Sequence, residues 1–69
     1  MKKYTIEELE ARSGEKLLEV MQDYFDSCIR TGNTNRSQNI AYFMRENELE
    51  QGEFYKVAEA YDQIEEGVL

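Results

Sequence analysis

The chain has 69 residues, with 15 acids against 8 bases for a net charge of −7, no histidine, no proline and one cysteine. That length holds a single domain; Cys28 has no cysteine to pair with, no Cys/His cluster offers a zinc site, and no run approaches the ~18 apolar residues of a membrane-spanning helix. A hydrophobic share of 41%, including five tyrosines and three phenylalanines, nonetheless favours folding over disorder, with ~4,500 Å² of folded surface expected from area scaling.

The segment Tyr4-Thr5-Ile6-Glu7-Glu8-Leu9 reads as a helix start. Thr5 and Glu8 have capping-box spacing, in which each side chain takes the other's backbone amide. Gly14 is placed to end this first helix in a left-handed turn. The opening MKKYTIEELE lacks the apolar run that follows the lysines of a signal peptide, so a cytoplasmic location is the expectation.

Glu15 to Arg30 predicts the second helix. At 100° per residue, Leu17, Leu18, Val20, Met21, Tyr24, Phe25, Cys28 and Ile29 occupy one half of the cylinder. Lys16, Glu19, Gln22, Asp23, Asp26, Ser27 and Arg30 occupy the other. An apolar face ~180° wide exceeds the usual stripe of roughly 100°. Helix two is therefore expected at the centre, touching several neighbours, with Phe25 fully buried.

The polar stretch TGNTNRSQN, residues 31–39, leads into a third helix from about Ser37 to Asn47. Ile40, Ala41, Phe43 and Met44 are expected to face inward, with Asn35 or Ser37 as the cap. A fourth helix from about Gly52 to Glu66 repeats Phe54, Val57, Ala58, Tyr61 and Ile64 on one face and stops at Gly67. No strand-like alternation competes. The expected fold is all-α: a compact single-domain bundle of three to four short helices with helix two central.

Charge is unevenly distributed along these elements. Residues 1–29 carry four bases and seven acids; residues 30–45 carry Arg30, Arg36 and Arg45 and no acid; residues 46–69 set Lys56 against eight acids. Such asymmetry concerns partners rather than fold. The polar face of the third helix reads Arg45, Gln38, Tyr42, Glu46 and Asn39, and that of the fourth reads Asp62, Tyr55, Glu66 and Glu59. A tyrosine stands in the middle of each. Tyrosine is enriched at binding interfaces, although single exposed aromatics are ordinary on any surface.

Catalytic machinery is missing from this inventory. There is no histidine for proton transfer near neutral pH, and no Ser/His or Cys/His pairing can be made. Cys28, central on an apolar face, behaves as a small hydrophobe. Glu59, Asp62 and Glu66 share a face, but hard cations need six or more placed oxygens. The expectation is therefore a non-enzyme without cofactor or metal.

Three binding readings follow. In the favoured one, a small acidic helical protein occupies a partner protein's basic surface, in the manner of phage- or mobile-element-type inhibitors and nucleic-acid mimics. Its contacts would come from Tyr55, Glu59, Asp62 and Glu66, with Tyr42, Arg36, Gln38 and Arg45 as the competing surface. The alternative is a helix-turn-helix-like DNA-binding or regulatory protein that uses the basic 30–45 segment, with Arg36, Gln38, Asn39 and Arg45 reading phosphates and base edges. A net −7 repels a duplex at long range, and the turn before helix three is longer than that motif's tight turn. The last is a homo-oligomeric interaction module that pairs through Tyr42 or through Leu49, Val68 and Leu69.

Overall fold

Thr5 opens α1 (Ile6–Ser13) with the reciprocal bonds its spacing predicts. In the computed structural model, which describes residues 2–67, the Thr5 amide donates to the Glu8 carboxylate at 2.9 Å and the Glu8 amide to the Thr5 hydroxyl at 3.2 Å. The donated Thr5 amide holds the Glu8 carboxyl below the usual carboxylate range. Gly14 closes the helix at φ 76°, a left-handed conformation that favours glycine. The next helix, α2 (Leu17–Arg30), has its first amides taken by carboxylates. Glu19 accepts from Lys16 at 2.9 Å, and Glu10 reaches over from α1 to accept from Leu17 at 2.8 Å.

Asn35, rather than Ser37, caps α3 (Arg36–Glu46), accepting the Gln38 amide at 2.9 Å. The last helix, α4 (Phe54–Glu65), starts later than the pattern suggests, because Gln51–Glu53 form a single 3-10 turn ahead of it. The result is the expected all-α bundle, with four helices and no strand among the described residues. Its surface of 4615 Å² lies close to the ~4,500 Å² expected for a well-folded chain of this length.

The helix α2 packs against each of the other three, as its broad apolar face predicts. Two edge-to-face aromatic pairs fix it in place: Tyr24 on Phe43 of α3 at 5.3 Å, and Phe25 on Tyr61 of α4 at 5.2 Å. Coverage of that face is nevertheless partial. Only Met21 and Cys28 of α2 are buried, Phe25 is half-buried rather than fully buried, and Ile29 stays 48% exposed. The reason is length. At ~1.5 Å per residue, the 8 residues of α1 cannot cover the 14 of α2. The most deeply set helix is α4, which buries Val57, Ala58, Ala60, Tyr61 and Ile64.

Antiparallel packing of α3 on α4 corrects three inward and outward assignments. Asn39, expected on the wet face, is 1% exposed beside Ile40 and Phe43. Ala41, expected inside, is exposed, and so is Phe54, at 48%. Phe54 is the first residue of α4 and stands beyond the end of the core. Asn39 tolerates burial because its amide nitrogen donates to the Tyr61 hydroxyl at 2.9 Å and the Asn33 carbonyl at 3.1 Å.

The segment before α1 is tied to the α3–α4 connection. The Tyr4 amide donates to the Glu48 carbonyl at 2.7 Å and the Glu50 amide to the Tyr4 carbonyl at 2.8 Å, forming a single parallel bridge to Leu49. Glu48 adopts φ 54° to make that turn, an uncommon conformation for a residue with a side chain. Arg12 sits 4.8 Å from the centre of the Tyr4 ring and donates to the Asn47 carbonyl at 3.3 Å, which fastens the same junction from α1.

Candidate functional site

The polar stretch 31–39 spends its hydrogen bonds internally. Asn33 accepts from the Asn35 amide at 3.1 Å and donates to the Gln38 side chain at 3.2 Å, while its carbonyl takes the buried Asn39 amide. Arg36 forms a bidentate pair with Asp62 of α4, 2.7 Å through Nε and 2.9 Å through Nη2. This hydrogen-bonded pairing lowers the Asp62 pKa and raises that of Arg36. Three of the residues expected to read nucleic acid, Arg36, Gln38 and Asn39, are thus engaged within the fold. Two residues expected on competing surfaces, Arg36 and Asp62, hold each other.

On the outer side of α4, Tyr55, Glu59, Asp62 and Glu66 recur at i, i+4, i+7 and i+11, which places them on one side of the cylinder. With Asp62 tied to Arg36, the free members are Tyr55, Glu59 and Glu66, all exposed. Tyr55 is 66% exposed, the most exposed large hydrophobic side chain among the described residues, and Phe54 precedes it at 48%. The stripe therefore has an aromatic head at the start of α4 and carboxylates along its length. Nearby, Lys56 reaches Glu53 at 3.4 Å, so this base is also spent on an acid of its own segment.

Tyr42, the other outward tyrosine, is 42% exposed and lies apart from this stripe. Behind burial, Glu46 and Cys28, it is the last of the groups that push the Tyr24 hydroxyl up to about 12. Leu49, a candidate for self-association, is the partner of the Tyr4 bridge and is buried at 3%, so its own side chain offers little contact surface. Its companions Val68 and Leu69 lie outside the described residues.

A feature the sequence reading missed lies at the other end of the α3–α4 seam from the Arg36–Asp62 pair. Ala41 and Met44 of α3, Leu49, and Phe54 line a groove of about 370 Å³, with Lys3 and Arg45 at its edges. Its remaining lining residue is Gln51, so no carboxylate lines it among the described residues. Among those residues, neither Lys3 nor Arg45 has an ion-pair partner. Arg45 was legible within the acid-free segment. Lys3 was not, because only the Tyr4 bridge brings the start of the chain there.

Chemically, these surfaces can hold a partner by charge and by aromatic packing. Cys28 is buried, and burial raises its thiol pKa, with Glu46 adding to the effect, so the reactive thiolate is disfavoured. The described residues contain no group of three or more metal-ligating side chains placed to hold an ion, and no helix among them is long and apolar enough to cross a membrane. Comparison with protein-family models, with curated proteins and with solved structures finds no match to this chain.

Proposed function

We propose that this protein is a non-enzymatic binder that occupies a basic surface of a partner protein through the outer stripe of α4. The observation that carries this reading is Tyr55, 66% exposed at the head of the stripe that holds Glu59 and Glu66. A rigid ring with a hydroxyl supplies contact area at low entropic cost. The carboxylates behind it, within a chain of net charge −7, steer a cationic surface toward that ring. Such a surface is the kind nucleic-acid-binding proteins present, which makes inhibition by mimicry the mode of action that best fits the charge. Direct DNA binding is the weaker reading, because Arg36, Gln38 and Asn39 already have partners within the fold.

Capture from lysate with immobilised protein, at low salt and at about 0.5 M salt, tests the proposal when run beside two variants. Wild type should retain a basic protein at low salt and release it at high salt. Tyr55→Ala should speed its dissociation, by at least ~1–2 kcal/mol in affinity for an anchor residue. Glu59→Lys with Glu66→Lys should slow association and flatten the salt dependence. Unchanged capture by both variants would show that the stripe is not the binding surface.

A further inference from the structure

We infer that the groove at Lys3 and Arg45 is the docking site for a second copy of this chain, whose Tyr55 enters it while its Glu59 meets Arg45. The inference rests on the reading of the α4 stripe as a docking surface, and it names a second occupant for that stripe. Both halves of the contact lie on one molecule. The groove is lined by Ala41, by the largely buried Met44 and Leu49, by Phe54, and by two cations without ion-pair partners among the described residues. Beside it, Phe54 lines the groove and begins α4, and the next residue is the exposed Tyr55, with Glu59 one turn further on.

A surface that places a cationic apolar recess next to an aromatic acidic ridge is complementary to itself under two-fold rotation. Arg45 of one copy faces Glu59 of the other, and the reverse contact forms at the same time. Lysine and arginine lining a recess without any acid is unexpected in a chain with 15 acids and 8 bases. Charge complementarity therefore selects an anionic occupant. A lining with a single aromatic, Phe54, suits one inserted side chain better than a stacked run of bases, which needs successive aromatic platforms.

Two copies of charge −7 repel at a distance. At physiological salt the Debye length is ~8 Å, so the long-range repulsion is largely screened while pairs in contact keep most of their attraction. A standard interface takes ~800 Å² per partner, a large share of the 4615 Å² this chain exposes. A contact confined to one groove and one helical turn is smaller than that, and the dimer is weak and concentration-dependent. Because it covers Tyr55 and Glu59, self-association withdraws the stripe from any other basic partner.

Sedimentation equilibrium of the full chain at physiological salt, from ~10 µM to ~1 mM, tests this with Arg45→Glu and Glu59→Arg. Both positions are exposed, and thermal melts by circular dichroism verify that each variant is folded. Wild type should dimerise, and each variant alone should lose at least ~10-fold in self-affinity. An equimolar mixture of the two should restore a dimer. In the mixed pair the two substituted positions face each other with their charges exchanged, while the unaltered Arg45 and Glu59 meet on the other side. Monomeric wild type throughout the range, wild-type dimerisation by both single variants, or a mixture that stays monomeric would each overturn the inference. Arg45 lies outside the α4 stripe, so Arg45→Glu should not reduce capture of a basic partner, and should raise it where the dimer would otherwise cover the stripe. Stripe-dependent capture by a strictly monomeric wild type would remove the dimer and leave the proposed function standing.

Discussion

Asn39 and Tyr61 form the only buried side chain to side chain hydrogen bond among the described residues, at 2.9 Å, and both are 1% exposed. Tyr61→Phe removes the hydroxyl while the Asn39 amide keeps its 3.1 Å bond to the Asn33 carbonyl, so the cost should be ~1 kcal/mol. Asn39→Leu keeps the branched four-atom outline, at somewhat larger volume, and removes Oδ1, which has no hydrogen-bond partner. It also strands both the Tyr61 hydroxyl and the Asn33 carbonyl, for an expected ~1–3 kcal/mol. Carrying both changes, the protein keeps only the Asn33 carbonyl unpaired, and the double variant should cost less than the sum of the singles by ~1 kcal/mol. For a 69-residue domain holding ~3.5–10 kcal/mol in total, these effects are measurable without abolishing the fold. With a urea slope of ~1 kcal/mol/M, each kilocalorie moves the midpoint by about 1 M. Additivity of the two singles within ~0.3 kcal/mol would show that amide and hydroxyl do not act as a pair.

Phe43→Ala, at a site 1% exposed, should cost ~3–5 kcal/mol, a large share of the domain's ~3.5–10 kcal/mol. Phe25→Ala, at a half-buried site, should cost only ~1–3 kcal/mol, and denaturant melts that rank the two in the opposite order would overturn the burial argument. Glu48→Gly should stabilise, because relief of the left-handed φ of 54°, ~1–2 kcal/mol, exceeds the ~0.4–1 kcal/mol lost to the freer unfolded chain; a lower Tm for this variant would contradict that balance. Glu8 and Asp62 have carboxyls held below their ordinary values by the Thr5 amide and by Arg36, so their contributions are full above the unfolded value near ~4 and fade as pH falls through the lower folded values. Thermal melts should therefore decline below about pH 4, and the decline should shrink in a Glu8→Gln, Asp62→Asn double variant.

Local rules made most of the fold readable. Thr5 with Glu8, Asn35 before α3, and the left-handed Gly14 all act within a few residues, and the pattern of apolar positions placed each helix. What could not be read depends on contacts between distant segments. Asn39 looks polar on a wheel, and only the positions of Tyr61 and Asn33 make its burial tolerable. Phe54 fits an apolar period, and only the 3-10 turn before α4 shows that it stands past the core. At the candidate site, the α4 stripe was legible because Tyr55, Glu59 and Glu66 follow the helical repeat. The loss of Asp62 to Arg36 and the arrival of Lys3 beside Arg45 were not, since each joins residues far apart in the chain.

The bridge that ties Tyr4 to Leu49 also bears on the order in which the molecule assembles. The helices and the turns between them close short loops, whereas this bridge spans the whole of α1, α2 and α3, and must hold them within its reach before its two hydrogen bonds can form. Loop-closure entropy places such a contact late. Its rupture is then an early event on the way out, and substitutions at the junction belong to the class that accelerates unfolding while leaving the folding rate almost unchanged. The Tyr4 and Glu50 amides, which donate the two bonds, should exchange with solvent through this local opening well before the amides of α4. Each such opening should carry Lys3 away from Arg45, so the groove should last only as long as this latch.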